Sequence, residues 1–299
     1  MSIYKLICPS GIGDVSWAIS ALWSVRDQIE QIDIVEGWPQ RTVPYVNLVG
    51  FRSDYVPISY PTILGFQSDH GIGADSKDRT WQKMSKLKVG KLLLEPNKWL
   101  EAGKRLETWL PDLKPEFHYP LNVDIEDTDR ALKVVAKAMA THPMKEGPVV
   151  GISCASYRGA EAWKTWGLDE WKDMLSRIMS IGWRPLLLGG SWDDLTYAVA
   201  CDLELPDIVG KTNVPQMVEV MKMLDSYIGY SSGMNVIRTV LDKPALALWP
   251  DFQVELMDSW APKEMLESRR YVSHLWRPVK NVWPVAKAFL RQCEEENRA

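Results

Sequence analysis

The chain has 299 residues and a formal net charge of −4, with 46% hydrophobic and 25% charged residues. These values are typical of a globular protein, and they exclude a disordered chain or a generally basic nucleic-acid-binding protein, although a local basic surface remains compatible with them. At this length we expect two domains of ordinary size or one large one.

The cysteine spacing and the hydropathy pattern favour a cytoplasmic protein. Cys8, Cys154, Cys201 and Cys293 lie far apart and form no C-x-x-C pair, which favours reduced thiols. No apolar run reaches the roughly 18 residues that a membrane-spanning helix needs. The first residues lead directly into a strand pattern and do not resemble a signal peptide.

The first half of the chain begins as an alternating strand and helix and then becomes less regular. The predicted strands are 3–8, 31–35, 47–50 and 55–58, and the predicted helices are 15–25 and 96–110, with an extended segment at 117–123. A helix over 124–139 then leads to a segment at 141–148 that contains two Pro and one Gly. Pro and Gly end regular elements, so we predict a domain boundary there.

The second half alternates strands and helices regularly. The predicted strands are 149–153, 184–188, 207–209, 226–228, 245–249 and 272–275, and the predicted helices are 168–181, 192–202, 214–224, 235–242 and 283–296. Such alternation predicts βαβ units with parallel sheets. We therefore predict an α/β protein with two Rossmann-like, doubly wound domains, at 1–145 and 146–282. A C-terminal helix at 283–299 follows them.

The turn after the first strand, Gly11-Ile12-Gly13-Asp14-Val15-Ser16, is similar to the dinucleotide-binding pattern G-x-G-x-x-G. Ser16 replaces the third glycine, and the Asp14 carboxylate would repel a pyrophosphate at the start of the helix. The sequence therefore argues against a nicotinamide or flavin site. Two interpretations of Asp14 remain open: a helix cap, or a general base that the helix dipole keeps ionised.

Small and polar residues follow four strands of the second half, at 153–156, 189–191, 210–212 and 231–233. The carboxyl ends of parallel strands share one edge of the sheet, where ligands usually bind. The last of these turns leads into a helix, whose N–H groups and dipole suit a phosphate. Ordinary connections between strands and helices remain the alternative. Lys164 could reach such a phosphate, or it is a solvated lysine beside two tryptophans.

The segment 77–91 holds six basic residues and one acidic residue in a chain that is acidic overall. This stretch is either a solvated loop or a surface for an anionic partner such as a phosphorylated glycan or DNA. Asp127-Thr128-Asp129 spells the D-x-D of metal-dependent glycosyltransferases, but it falls at a helix start, where acidic residues complement the dipole. The four histidines lack metal-ligand spacing, so we predict no metal site.

Several of these motifs together resemble the heptosyltransferase family, glycosyltransferase family 9. Ser10-Gly11-Ile12-Gly13-Asp14 resembles its opening motif, and Lys164-Thr165-Trp166 resembles its Lys-x-Trp-Pro element. The segments 186–190 and 210–212 also match its pattern. Gly229-Tyr230-Ser231-Ser232-Gly233 falls where the family has Gly-x-Asp-Ser/Thr-Gly-x-x-His. Ser231 replaces the family's Asp, and Val236 replaces its His, with Asn235 the nearest polar residue.

The resemblance implies a GT-B fold, with the acceptor on the N-terminal domain and a nucleotide-sugar donor on the C-terminal one. It also implies a metal-independent, inverting transfer with Asp14 as the base and without a cofactor. The implied donor-binding residues are Ser153, Ser156, Lys164, Gly189, Gly190, Lys211, Ser231, Ser232, Gly233 and Asn235. The acceptor-binding residues would be Ser10, Gly11, Gly13, Lys83, Lys86 and Lys88.

Two other functions remain open at this point. The chain resembles a transferase whose acceptor is lipopolysaccharide core or another glycan, but a DNA-modifying, phage-type sugar transferase that acts on a hydroxylated base would share the same motifs. A nucleotide-sugar-binding protein without turnover is the other alternative, because the family's Asp and His are missing. The resemblance is compatible with a location at the inner membrane surface and with the C-terminal helix packing back on the N-terminal domain.

Overall fold

The structure, a computed structural model, describes residues 4–9, 11–35, 39–56, 67–68, 71–72, 92–93, 125–142, 146–155, 166–251, 254, 257–258 and 261–298. The chain forms two compact units, Met1–Asn122 and Val123–Ala299. The division lies before the helix at 125–141, whereas the predicted boundary lies after it. This helix packs against the helix Val214–Met223 of the second unit, which explains why it belongs there.

The first unit contains a parallel, four-stranded sheet. Its strands are β1 (Tyr4–Pro9), β2 (Ile29–Val35), β3 (Tyr55–Val56) and β6 (Leu92–Leu93), and its helices are α1 (Ile12–Leu22) and α2 (Pro39–Leu48), with a 3-10 helix at Trp23–Gln28. A separate antiparallel pair consists of β4 (Gln67–Ser68) and β5 (Gly71–Ile72). The order β3-β2-β1-β6 reverses direction at β1, so a topological switch point lies between β1 and β6.

Helix α2 corrects one prediction, because the strand predicted at 47–50 is wrong. Asn47 and Leu48 end this helix. Thr42, Tyr45, Val46 and Val49 are buried, and their spacing of three and four residues marks one face of a helix that continues into its last turn. The tertiary packing of that face outweighed the strand preference of a short apolar run.

The second unit is built around a parallel, five-stranded sheet. Its strands are β7 (Val149–Ser153), β8 (Arg184–Leu187), β9 (Ser226–Tyr230), β10 (Ala245–Trp249) and β11 (Tyr271–Leu275). Its helices are α3 (Ile125–Thr141), α4 (Leu168–Ser180), α5 (Asp194–Asp202), α6 (Val214–Met223), α7 (Gly233–Val240), α8 (Lys263–Glu267) and α9 (Val279–Arg298). The predicted alternation and the parallel sheet are confirmed.

The sheet order is β11-β10-β9-β7-β8, so the chain again reverses direction, here between β7 and β9. The strand predicted at 207–209 is reduced to a single bridge between Asp207 and Leu187 beside β8. With that bridge counted as a sixth strand position, the order is that of the Rossmann dinucleotide-binding fold. The switch point between β7 and β9 is therefore the expected ligand crevice.

The core of the second unit joins the sheet to α4 and α9. Its buried members include Val150, Ile152, Ile228, Leu246 and Leu248 from the sheet, Trp171, Met174, Leu175 and Ile178 from α4, and Val282, Ala286, Phe289 and Leu290 from α9. Helix α9 begins four residues before the predicted start at 283 and supplies this core. Its apolar face is therefore packed within the second unit.

Candidate active site

Two turns meet at the switch point of the second unit. Ser153, the last residue of β7, pairs in register with Gly229 of β9. The chain leaves β7 through Cys154 and leaves β9 through Ser231 and Ser232. Parallel pairing thus places the predicted 153–156 and 231–233 turns at neighbouring positions of one sheet edge, of which residue 156 lies outside the described residues.

The turn after β9 opens helix α7. Ser232 is the N-cap, and its Oγ accepts a hydrogen bond from the Met234 N–H at 3.3 Å. The Asn235 Nδ2 group donates to the carbonyl oxygens of Gly229, at 3.4 Å, and of Tyr230. Asn235 is buried, and its two hydrogen bonds hold the start of α7 against the end of β9. The turn therefore places the N-terminus of α7 at the carboxyl edge of the sheet, a position at which anions commonly bind.

A further hydroxyl at this point, that of Tyr227, was missed by the sequence analysis. Tyr227 is fully buried on β9. Burial raises the pKa of Tyr227, while the hydroxyls of Ser153 and Ser232 lower it. Its oxygen nevertheless makes no hydrogen bond of normal geometry with any described residue. The apolar pattern of 226–228 predicts a buried strand and contains no signal for this placement.

Trp166 anchors the segment that follows Lys164. The Trp166 backbone N–H donates to the Tyr230 hydroxyl at 2.5 Å, and its indole Nε1 donates to the Arg277 carbonyl at 2.8 Å. Its ring packs edge-on against Trp171, with 4.9 Å between the centroids. These contacts hold the chain two residues after Lys164 at the end of β9. Lys164 itself lies outside the described residues.

The turn after β8 is joined to the turn at 209–211. The Gly210 N–H donates to the Gly189 carbonyl at 2.9 Å, and Gly210 has a φ of +68°, which favours glycine. Gly190 lies directly against the ring of Trp192, where a side chain would clash. The half-exposed Lys211 side chain pairs with the Asp207 carboxylate at 2.9 Å, so its charge is partly neutralised.

In the first unit, α1 begins directly after β1. Gly11 is its N-cap, so Asp14 is the third residue of the helix rather than its cap. Gly13 is buried and Gly11 is exposed. Ser16, which stands at the third position of the G-x-G-x-x-G pattern, is hydrogen-bonded to the Tyr45 hydroxyl at 3.1 Å and so joins α1 to α2. This supports a packing role for Ser16.

The remaining predicted site residues do not enter this geometry. Ser10, Lys83, Lys86 and Lys88 lie outside the described residues. Asp127, Thr128 and Asp129 lie in the first turns of α3, not at a strand end. Within the described ranges, no three His, Cys, Asp or Glu side chains gather as a metal site would require. None of the helices in that part of the chain is both long and apolar enough to cross a membrane.

The family of the chain is decided by its sequence. Residues 103–273, more than half of the chain, match glycosyltransferase family 9 (heptosyltransferase). The chain belongs to this family. It is therefore a glycosyltransferase, as the motifs around Asp14, Lys164 and Ser231 predicted. A comparison with curated proteins gives no significant match.

Solved structures of family 9 members share the fold of the chain. Heptosyltransferase II of E. coli, described as an ADP-heptose LPS heptosyltransferase, is 13% identical, with a TM-score of 0.58 over 99% of this chain and 100% of that one. A family 9 glycosyltransferase from Veillonella parvula is 11% identical, with a TM-score of 0.58 over 97% and 98%. The E. coli heptosyltransferase WaaC with ADP is 12% identical, with a TM-score of 0.53 over 97% and 100%.

These matches confirm the predicted α/β, GT-B fold class. They extend over nearly the whole chain, including the first unit, in which the sequence resemblance is diffuse. At this level of identity the likeness concerns the fold alone. The roles of individual residues therefore depend on the chemistry of this chain.

Proposed function

We propose that this glycosyltransferase moves a sugar from a nucleotide-sugar donor to an acceptor hydroxyl, with inversion and without a metal. The observation that supports a nucleotide donor is the Rossmann strand order of the second unit, with the turns of β7 and β9 side by side at its switch point. Helix α7 begins at this point, capped by Ser232. Its N-terminus and the surrounding hydroxyls suit a diphosphate.

In the proposed reaction, the bond between the anomeric carbon and the donor phosphate breaks, and negative charge develops on the leaving diphosphate. The N–H groups at the start of α7 and the ammonium group of Lys164 would stabilise that charge. Donors held rigidly in place stabilise a developing charge without further reorganisation. The hydrogen bonds of Trp166 to Tyr230 and Arg277 hold Trp166, two residues after Lys164 in the sequence, at the end of β9, and this supports the role of Lys164.

Asp14 is the proposed general base. It follows strand β1 in the first turn of α1, on the side of the sheet where the order reverses between β1 and β6. The helix dipole there favours an ionised carboxylate. The acceptor hydroxyl would lose its proton to Asp14 as its oxygen attacks the anomeric carbon.

Membership of the family does not by itself identify the donor sugar of this chain. Ser231 and Val236 stand where the family has Asp and His, so this chain offers a neutral hydroxyl and an apolar side chain at those positions. Ser231 is largely buried, and its N–H donates to the Leu248 carbonyl at 2.9 Å. We therefore assign a nucleotide sugar as the donor class, without restricting it to ADP-heptose.

Replacing Lys164 by Ala tests the donor site. Isothermal titration calorimetry of the wild-type protein with ADP and with UDP first identifies the nucleotide that it prefers. Loss of a charged hydrogen-bond donor should weaken binding of that nucleotide by about 1.5–3 kcal/mol. A nucleoside diphosphate bound equally well by the variant would remove Lys164 from the phosphate site.

Lys172→Ala is the matched control for this experiment. Lys172 lies on α4 and pairs with the Asp202 carboxylate, so the change removes a lysine that already has a partner. Binding of the nucleotide should stay within experimental error of the wild type. If the wild-type protein binds neither ADP nor UDP, another donor class must be sought.

Metal independence has its own test. We expect initial rates with a nucleotide-sugar donor to be unchanged in excess EDTA, because the ammonium group and the helix N-terminus supply the positive charge that the leaving group needs. The measurement compares rates before and after chelation and after addition of Mg²⁺ or Mn²⁺. Strict dependence on either ion would contradict the leaving-group account and return attention to Asp127 and Asp129.

A further inference from the structure

Tyr227 extends along the sheet over a glycine of its own strand. Gly151 of β7 pairs with Tyr227, and a Cβ atom on Gly151 would meet Leu224 and Leu188 first, at 2.5 and 2.8 Å, and the Tyr227 ring at 3.3 Å. Gly229, two residues later on the same face of β9, lies under the phenol, where a Cβ atom would come within 2.4 Å of the hydroxyl oxygen. The absence of a side chain at Gly229 lets the phenol extend toward the carboxyl edge of the sheet.

The phenol oxygen therefore ends between the two turns of the switch point. Gly229 pairs in register with Ser153, and Ser232 follows three residues after Gly229. The hydroxyls of Ser153 and Ser232 lower the pKa of the Tyr227 phenol, as expected of polar groups beside it. No described residue completes a hydrogen bond of normal geometry to the phenol oxygen, so its burial costs the fold free energy. Its position at the switch point, rather than the missing bond alone, indicates a role in the site.

The serine hydroxyls have different partners of their own. Ser153 Oγ donates to the Ala155 carbonyl at 3.2 Å, and Ser232 Oγ accepts from the Met234 N–H. Each serine hydroxyl is therefore hydrogen-bonded to the backbone of its own turn and helps to fix the conformation of that turn. A group that restrains both hydroxyls also sets the separation of the two turns.

We propose that Tyr227 is a positioning residue of the nucleotide-sugar site, which holds the Ser153 and Ser232 hydroxyls, and with them the turns after β7 and β9, in place for a diphosphate. Tyr227 is fully buried and acts through the serines without touching the ligand. The inference rests on the proposed function, because it assumes that a diphosphate binds at this switch point.

The test uses Tyr227→Phe in the full-length protein, which removes a single oxygen atom. We expect an unchanged or higher melting temperature, because the oxygen lacks a good hydrogen bond. The dissociation constant of the preferred nucleoside diphosphate should rise about three- to tenfold, because the Ser153 and Ser232 hydroxyls lose the phenol beside them and the two turns become less ordered before binding. Amide hydrogen exchange without ligand should become faster at 153–155 and 231–234 and stay unchanged in the rest of the sheet.

Tyr271→Phe is the matched control. Tyr271 is also a buried phenol in this sheet whose oxygen lacks a well-formed hydrogen bond to a described residue, but it lies on the edge strand β11, separated from β9 by β10. It should leave nucleotide binding and exchange at both turns unchanged. An equal effect of the two variants on binding would show that the response is not specific to the switch point and would overturn the proposal.

The two measurements separate failure of this inference from failure of the proposed function. If Tyr227→Phe changes neither the dissociation constant nor the exchange rates, Tyr227 does not position the turns. If the wild-type protein binds no nucleoside diphosphate, the nucleotide-donor assignment fails, and the exchange rates alone then decide whether Tyr227 holds the two turns together.

Discussion

Asp14→Asn should reduce turnover by about 10²–10⁴-fold, the range found for loss of a general base. The substitution keeps the shape of the side chain and removes its basicity. Because Gly11 rather than Asp14 is the N-cap of α1, the helix keeps its capping residue in the variant. Nucleotide binding should stay nearly unchanged, since the proposed donor site lies in the second unit. Steady-state kinetics and calorimetry on the same preparation measure the two effects separately.

Asp27→Asn provides the control for this substitution. Asp27 is an exposed carboxylate at the end of the 3-10 helix in the same unit, 3.9 Å from Arg26. An exposed pair of this kind contributes little, so turnover and stability should match the wild type. Wild-type turnover in Asp14→Asn would mean that Asp14 is not the base, and that another group deprotonates the acceptor.

Arg238→Met should lower the free energy of unfolding of the second unit by about 3–5 kcal/mol, because it leaves three buried carbonyl oxygens without their donor. The Arg238 guanidinium is fully buried. Its Nε and Nη2 atoms donate to the Pro244 carbonyl at 3.1 and 2.8 Å, and its Nη1 atom donates to the carbonyls of Leu224, at 3.1 Å, and Met221. Burial lowers the pKa of Arg238 to about 9, so it remains charged at neutral pH.

The physical reason for this loss is that the partners of Arg238 are backbone carbonyls. Met221 and Leu224 lie at the end of α6, and Pro244 lies just before β10. Methionine fills a similar volume but leaves all three carbonyl oxygens buried without this donor. Each buried oxygen without a hydrogen bond costs about 1–3 kcal/mol. Urea unfolding, followed by the fluorescence of the buried tryptophans, gives the change in free energy.

Two further variants serve as controls for Arg238→Met. Arg177→Met removes an exposed guanidinium that pairs with Asp173 at 2.8 Å on α4, and it should change stability by less than about 0.5 kcal/mol. Arg238→Lys keeps the charge and one donor group, so it should unfold between the wild type and Arg238→Met. Equal stability of Arg238→Met and the wild type would show that the carbonyls find other donors.

The elements with strong local patterns were predictable from the sequence. The apolar runs at 149–153 and 245–249 become β7 and β10 with the predicted bounds, and the helices at 168–181 and 214–224 differ by one residue at one end. Local periodicity determines such elements, because each side chain must face either the core or the solvent. The motifs at Asp14, Lys164 and Ser231 also identified the family from the sequence.

Weaker local patterns gave errors where long-range packing decided the outcome. The segment 47–50 has the composition of a strand, yet Asn47 and Leu48 end α2, because Tyr45, Val46 and Val49 share a buried face. Strand 207–209 is reduced to one bridge at the edge of the sheet. In both cases the competing local states differ little in energy, and contacts with distant residues select between them.

The sequence by itself determined the α/β class, the parallel sheets and the turns that carry the candidate donor residues. Only the tertiary structure decided that β7 and β9 are neighbours, which brings Ser153 beside the Ser231–Ser232 turn. It also placed the Tyr227 hydroxyl beside those turns, in the space left by Gly229. The physical reason is that strand order and side-chain neighbourhoods arise from pairings between residues far apart in the chain, whereas periodicity records only which way each residue faces.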